Sequence, residues 1–383
     1  MTTSAKTCTY CLMDTTDPNI VFDEKGECNH CRSARQALAA IPKGKEAEAQ
    51  LSEIVDMVKK GGKGKPYDCI IGLSGGADSS YLLHCAKDWG LRPLLFHVDG
   101  GWNSGVAEGN INKLIARLGF DVKEYKVDWE EMKDLQRAFL AAGVPNQDIP
   151  QDHLFFATLF RQCRKYGIRY WLSGSNLASE SILPSAWGYS AMDGEHVRAI
   201  HNQFGKKALN TFPVLSFYEY CRFFLDVNAL RQIHALTPLD LLQYDIFQAK
   251  QILHDQYDWQ DYGKKHCESR FTKYFQGYFL PTRFGFDKRK AHLSSLIVSG
   301  LLSREDACAE FANPPYQPEE LANDTSYICT RLGYTSDEWI QLLSAPVHSH
   351  QDYGTSSEKI KRTTQFFRLL GKAKRVLKKS SWR

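Results

Sequence analysis

The chain has 383 residues, 43% of them hydrophobic and 24% charged, which is the balance of a globular protein and excludes a disordered chain, a collagen-like repeat and a coiled coil. The length allows two domains with small attachments. The net charge of +4 divides unevenly: residues 359–383 hold ten Lys and Arg and no Asp or Glu, and taking those ten away leaves −6 on residues 1–358.

The chain opens Met1-Thr2-Thr3-Ser4-Ala5-Lys6 without an apolar leader, and no run of eighteen apolar residues follows. A cytoplasmic protein with reduced thiols is expected. Four of the eleven cysteines are grouped: Cys8-Thr9-Tyr10-Cys11 and Cys28-Asn29-His30-Cys31 form C-x2-C, sixteen residues, C-x2-C. Each CxxC turn presents two thiolates to one face, and two such turns complete a tetrahedral site. Residues 1–35 are therefore expected to form a zinc ribbon with structural Zn²⁺ on Cys8, Cys11, Cys28 and Cys31. An iron–sulfur cluster or redox pairs are the alternatives, and His30 is a substitute ligand. Residues 19–26 read as a strand and a turn. The other seven, Cys69, Cys85, Cys163, Cys221, Cys267, Cys308 and Cys329, lack this spacing and read as small buried hydrophobes.

Residues 36–66 read as a helix and a linker, with Leu51, Ile54, Val55 and Val58 at helical spacing and Gly61-Gly62 as the stop. A buried strand over 67–73 then runs into Ser74-Gly75-Gly76-Ala77-Asp78-Ser79-Ser80, followed by a helix ending at Gly90. Strand, glycine-rich turn and helix make a phosphate cradle: glycines let the backbone approach an anion, and the helix N-terminus adds positive potential. The lysine of a Walker A loop is absent, as is GxGxxG. Strands at 93–99, 121–125 and 168–172 alternate with a helix over 105–119, so a doubly wound parallel sheet is expected over 67–212. Nucleotides bind such sheets at the carboxyl ends of the strands. That places His97, Asp99 and the Ser173-Gly174-Ser175-Asn176 turn at the rim, although an aspartate there is as readily a helix cap. Residues 213–354 read as mainly helical.

The string S-G-G-x-D-S resembles the pyrophosphate-binding PP-loop of the N-type ATP pyrophosphatases. The resemblance implies ATP cleavage to AMP and pyrophosphate with Mg²⁺, and nucleotide binding by Ser74, Gly75, Gly76, Asp78, Ser79, Ser80, His97, Asp99 and Gly174. Asp78 has two readings, as a Mg²⁺ ligand and as a helix cap. Together with the cysteine pairs and Trp102-Asn103-Ser104, the runs Trp259-Gln260-Asp261-Tyr262-Gly263-Lys264-Lys265-His266-Cys267-Glu268-Ser269-Arg270, Phe275-Gln276-Gly277-Tyr278 and Gly285-Phe286-Asp287-Lys288-Arg289-Lys290-Ala291-His292 resemble the N-acetyl sugar amidotransferase family of bacterial O-antigen biosynthesis. The likeness covers roughly residues 8–310.

The resemblance implies conversion of an acetamido group on a nucleotide sugar into an acetamidino group. Pyrophosphate release builds negative charge, so cations should clamp it. Lys264, Arg270, Lys288, Arg289 and His292 are candidates, with Asp78, Lys288 and Arg289 as the expected catalytic set. Glu268 is read as orienting ammonia or binding sugar. Trp187 and Tyr189 either stack on a sugar or base or pack their loop. No G-x-C-x-G elbow is present and residue 2 is Thr2, so ammonia should come from a separate glutaminase subunit with an ammonia-channelling partner. A PP-loop transfer-RNA modifying enzyme is the rival. The acidic body and the lack of further CxxC pairs weigh against it, and no nucleic-acid partner is expected. Residues 355–383 read as a basic amphipathic tail with three open readings: docking on protein, peripheral contact with the anionic inner membrane through 359–383, or nucleic-acid binding.

Overall fold

The computed structural model describes residues 6–223, 232–263, 265 and 267–380, with side chains through residue 367 and at 369. Five strands, β1 (Cys69–Gly72), β2 (Pro93–Asp99), β3 (Val122–Lys126), β4 (Tyr170–Leu172) and β5 (His234–Leu236), form one parallel sheet in the order β3-β2-β1-β4-β5. Both faces are covered, which is why residues 69–73 read as a run with no charged residue. Cys69, Ile71 and Leu95 pack with Leu82, Ile111 and Trp259 on one face. Their neighbours Ile70, Leu94 and Phe96 pack with Ala157, Phe160 and Ile168 on the other. This alternation has the two-residue period of a strand.

The expected strands over 67–172 are present, and β5 is an addition. Three residues, His234-Ala235-Leu236, leave no sequence pattern, and pairing with β4 alone makes them a strand. The chain moves outward from β1 to β2 and β3, then returns to place β4 on the other side of β1. This reversal opens a crevice between the carboxyl ends of β1 and β4.

The strand expected over residues 19–26 does not form. Only single bridges, Thr7 to Asp14 and Phe22 to Cys28, join this segment. The backbone is held by side chains instead: Asp23 Oδ1 accepts from the N–H groups of Lys25 and Glu27, and Asn29 Oδ1 accepts from Val21 N–H. The second cysteine pair opens the helix Asn29–Ala39. The whole segment rests on the helix Lys288–Ser299, in a core with Met13, Ile182, Ala291 and Ile297. There Leu12 N–H donates to Ser294 Oγ at 3.0 Å, Lys290 pairs with Asp14, and Ile182 N–H donates to Ser295 Oγ at 3.0 Å.

The C-terminal half is helical as expected. The part of the helix expected near 218–230 that lies beyond 223 falls outside the described residues. Residues 349–357 are fastened to the sheet domain by two buried histidines. Asn146 N–H donates to His350 Nε2 at 3.1 Å, which fixes the proton of His350 on Nδ1. That proton goes to His196 Nε2 at 2.9 Å, and His196 Nδ1–H donates to the Gly354 carbonyl at 3.2 Å. Both rings are satisfied only when neutral. Burial and the neighbouring His196 push His350 down to about 3, and burial lowers His196.

A depressed histidine contributes stability that is complete above its unfolded value near 6.5 and is lost as the pH falls toward the folded value. A His350→Phe chain lacks this contribution at every pH. Its stability deficit relative to the native chain should therefore shrink by about 1 kcal/mol between pH ~6.5 and ~5.5, read from urea midpoints. A deficit unchanged with pH would contradict the neutral relay.

Candidate active site

The loop after β1 has the shape its sequence implies. Gly75 takes φ +82°, and a Cβ there would lie 2.7 Å from the Ala107 carbonyl oxygen. Only glycine fits both the angle and the approach. Trp259 Nε1–H donates to the Gly75 carbonyl at 3.1 Å and fixes the loop from behind. Gly76 N–H donates to Ser74 Oγ at 3.2 Å, and Ser79 Oγ donates to the Gly76 carbonyl at 3.2 Å, so the hydroxyls organise the turn. The helix Ala77–Asp88 begins immediately after and aims its N-terminus at the crevice. Across the crevice Gly174 touches the loop: a Cβ there would stand 2.9 Å from both Asp78 C and Ser79 N.

Asp78 is not a helix cap. Its Oδ1 accepts from Tyr244 O–H at 2.6 Å and Asn176 Nδ2–H at 3.1 Å, and its Oδ2 lies 3.3 Å from Lys265 Nζ. Lys265 also pairs with Glu180 Oε1 at 2.9 Å and donates to Ser179 Oγ at 2.8 Å. Burial pulls the Lys265 ammonium toward neutrality, but Asp78 and Glu180 outweigh it and hold it above the usual lysine value. Glu268 is buried in the same group. Burial and then the Asp78 charge push its carboxyl up to about 7.

The crevice widens into a cavity of about 900 Å³. Its lining includes Ser74, Gly76, Asp78, Ser79 and Gly174 of the loop and its opposite turn, the rings of Phe155, Phe156 and Trp171, and a second polar group of Asp148, Asp152, Gln276, Lys288 and His292. Asp148 Oδ1 accepts from Thr272 Oγ1 at 3.0 Å and Oδ2 from Gln276 Nε2 at 3.2 Å. Gln276 sits in a π-helical turn, Phe275–Phe279, which interrupts the helical run from Arg270 to Phe284. Such turns re-aim side chains. Burial raises Asp148, and burial with the Asp148 charge pushes Asp152 up to about 7, with Lys288 acting in the opposite sense.

The remaining expected residues are placed as follows. His97 reaches the cavity with both nitrogens engaged, Nδ1–H to the Leu73 carbonyl at 2.9 Å and Nε2 accepting from Asn103 at 3.1 Å. Asp99 does not line the cavity, because its Oδ1 closes the next turn on Gly101 N–H at 2.8 Å. Ser80 is fully buried one turn into its helix and does not face the cavity. Arg289 is turned away, since its guanidinium binds Asp287 and the Asn313 carbonyl and lies over the Phe311 ring. Arg270 is likewise held by Asp324 at 2.6 Å. Lys264 lies outside the described residues. Trp187 stacks on Phe286 with centroids 5.5 Å apart, and Tyr189 stacks on His350 at 5.2 Å, so both pack their loop at the cavity wall. The 173–176 turn placed at the rim brings Asn176 to Asp78, whereas sequence reasoning missed Lys265, Tyr244, Asp148 and Asp152. Only Lys265 carried a signal, as the neighbour of a named lysine in a quoted run.

The four cysteines are buried, and their sulfurs lie within 4.8 Å of one another. The Cys8–Cys31, Cys11–Cys28 and Cys28–Cys31 sulfur separations are 3.9, 3.7 and 3.6 Å. A tetrahedron with Zn–S of about 2.3 Å has edges of about 3.8 Å, so the donor set fits zinc. Backbone N–H groups of Tyr10, Cys11 and Cys28 point at Cys8 Sγ, as a thiolate requires. His30 is not a ligand, because its Nε2 binds Asp17 at 2.6 Å. Among the described residues no other group of three or more His, Cys, Asp or Glu donors is close enough to share an ion. No helix among the described residues is long and apolar enough to cross a membrane.

Residues 268–368 match the family model described as LPS biosynthesis protein WbpG-like, C-terminal domain. No curated protein matches the chain. Among solved structures the chain is similar to NMN synthetase from Francisella tularensis, at 19% identity and TM-score 0.29 over 35% of this chain and 56% of that one. It is also similar to the NH3-dependent NAD synthetase from Campylobacter jejuni subsp. jejuni, at 12% identity and TM-score 0.32 over 75% of this chain and 96% of that one. A third likeness is to NAD+ synthetase from Burkholderia pseudomallei, at 15% and 0.28 over 64% and 98%. At these scores the three structures add nothing to the fold already described. Residues 268–368 are thus similar to the C-terminal domain of WbpG-like LPS biosynthesis proteins, and in this chain they follow a Ser-Gly-Gly-Ala-Asp-Ser loop at the switch point of a parallel sheet.

Proposed function

We infer that the protein is the synthetase subunit of an ATP-dependent amidotransferase that converts an acetamido group of a nucleotide sugar into an acetamidino group, for surface-glycan biosynthesis. The observation that carries this reading is one cavity lined by two chemically distinct groups: the glycine-rich loop after β1, and Asp148, Asp152, Gln276 and Lys288. About 900 Å³ accommodates a nucleotide beside part of a second substrate. Carboxylates and an amide suit sugar hydroxyls and an acetamido N–H better than phosphate.

An amide oxygen is a poor leaving group. In the proposed reaction it attacks the α-phosphorus of ATP, the bond to the β-phosphate breaks, and pyrophosphate leaves. Ammonia then adds to the imidate carbon, the C–O bond breaks, and AMP departs with the former amide oxygen. Ser74, Gly76 and Ser79 would hold the phosphates, and Asp78 would be the carboxylate offered to Mg²⁺. Bound magnesium neutralises charge on the departing pyrophosphate. Lys265, already desolvated beside Asp78, supplies the local cation. Ammonium must lose a proton before it attacks, and Asp152 titrates near neutrality to accept one. Cys69, Cys85, Cys163 and Cys221 are buried, with thiols raised by burial, so none suits glutamine hydrolysis. A separate glutaminase and channel subunit supply the ammonia.

Lys265→Met should lower pyrophosphate release about a hundredfold at saturating sugar and raise the KM for ATP, because Asp78 and Glu180 then face each other without a counter-ion. The proposed function itself is tested by pyrophosphate release with ATP, ammonium and a panel of nucleotide diacetamido sugars, set against transfer RNA. Release that depends on a sugar supports it. Release stimulated by RNA alone would overturn it.

A further inference from the structure

The C-terminal helix is the one sequence feature that the proposed chemistry does not use. Its backbone is helical over Ser357–Ser380, about 36 Å at 1.5 Å per residue. Its root is fastened to the body. Ser356 N–H and Oγ both donate to Asp193 at 2.7 Å, Tyr189 Oη and Ser357 Oγ are 3.0 Å apart, and Lys359 Nζ pairs with Glu195 at 2.8 Å. Beyond the root the described side chains turn outward: Phe366 is 58% exposed and Leu369 66%.

At 100° per residue, Phe366, Leu369, Leu370, Ala373, Val376 and Leu377 fall within an arc of roughly 120°. Arg368, Arg375, Lys378 and Lys379 fall on the opposite side, with Lys372 and Lys374 at the two flanks. No acid interrupts residues 359–383. A helix that served only to bind nucleic acid would have no use for a continuous apolar arc. A helix docked on its own body would cover Phe366 and Leu369. The segregation of apolar and basic arcs matches a surface that offers hydrocarbon and anionic charge side by side.

We propose that this helix is a membrane-surface anchor: it lies in the plane of an anionic lipid bilayer, with its apolar arc at the acyl boundary and its Lys and Arg among the headgroups. The proposal stands apart from the reaction inferred for the cavity. The occupant follows from charge complementarity, since ten cations on one short segment gain from a negatively charged leaflet and lose little from dehydration at headgroup depth. The Asp193 and Tyr189 contacts at its root also hold the cavity wall near Ser190 and Ala191, so the anchored enzyme would present its cavity at a set height above the bilayer.

The test is cosedimentation of the full chain with phosphatidylcholine vesicles, alone or with about a third phosphatidylglycerol. Binding to the anionic vesicles should be at least about tenfold tighter and should collapse at about 0.5 M salt. Leu369→Glu with Leu370→Glu, and separately Arg375→Gln with Lys378→Gln and Lys379→Gln, should each reduce it at least about tenfold and leave sugar-dependent pyrophosphate release unchanged. The proposal fails if neutral and anionic vesicles bind alike, if neither binds, or if the Leu369→Glu and Leu370→Glu chain binds as the native one does. Tighter binding to an RNA fragment than to the anionic vesicles would also overturn it.

Discussion

Asp78→Ala is expected to lower pyrophosphate release by on the order of a thousandfold, the largest single effect foreseen in the cavity. Asp78 carries three interactions at once, with Tyr244, Asn176 and Lys265, and projects from the helix start at the crevice. Removing it takes away the proposed Mg²⁺ ligand and leaves the Lys265 ammonium with Glu180 alone. The change also strands two polar groups, which would cost about 1–3 kcal/mol of stability. Tyr244→Phe separates these contributions. It deletes the 2.6 Å hydrogen bond while keeping the carboxylate, so stability should drop by about 1 kcal/mol and activity by less than about tenfold. Thermal unfolding and pyrophosphate release on both variants check this. Comparable activity in Asp78→Ala and Tyr244→Phe would contradict a direct role for the carboxylate.

Cys31→Ser should release the bound zinc and destabilise the protein by roughly 3 kcal/mol or more. The cysteines are the centre of a small core that has little else to hold it. The effect should extend to the cavity. The four-cysteine segment grips the helix Lys288–Ser299 through Leu12–Ser294 and Asp14–Lys290, and that helix presents Lys288 and His292 to the cavity. Loss of zinc should therefore reduce pyrophosphate release even where the sheet domain stays folded. Ser294→Ala with Lys290→Ala should keep one zinc per chain yet also lose activity. Zinc content, unfolding midpoint and pyrophosphate release on the two chains distinguish the metal from its anchoring. Full activity after zinc loss would contradict the coupling.

Much of the fold was legible because burial wrote it into the chain. Cys69, Ile70 and Ile71 are apolar on both faces of a covered strand, and Gly75 and Gly76 mark a turn that a side chain would block. The cysteine spacing was legible because four ligands to one ion need short, fixed turns. The second half of the site was not. Lys265 and Tyr244 meet at Asp78, and Thr272 and Gln276 at Asp148, only in the folded chain, and ordinary Lys, Tyr and Asp carry no local pattern. Arg289 illustrates the converse. It sits one residue from Lys288, and 100° of helical rotation sends it to Asp287 and Asn313, away from the cavity. His97 and Asp99 divide in the same way on β2, where two positions share a face but only the first reaches the cavity.

The central claim is that ATP adenylates the acetamido oxygen, and the fate of that oxygen tests it most directly. A nucleotide diacetamido sugar labelled with ¹⁸O in the acetamido carbonyl should, with ATP and ammonium, yield AMP carrying the ¹⁸O and an acetamidino sugar without it. AMP free of label, with the ¹⁸O retained in the sugar, would contradict the account.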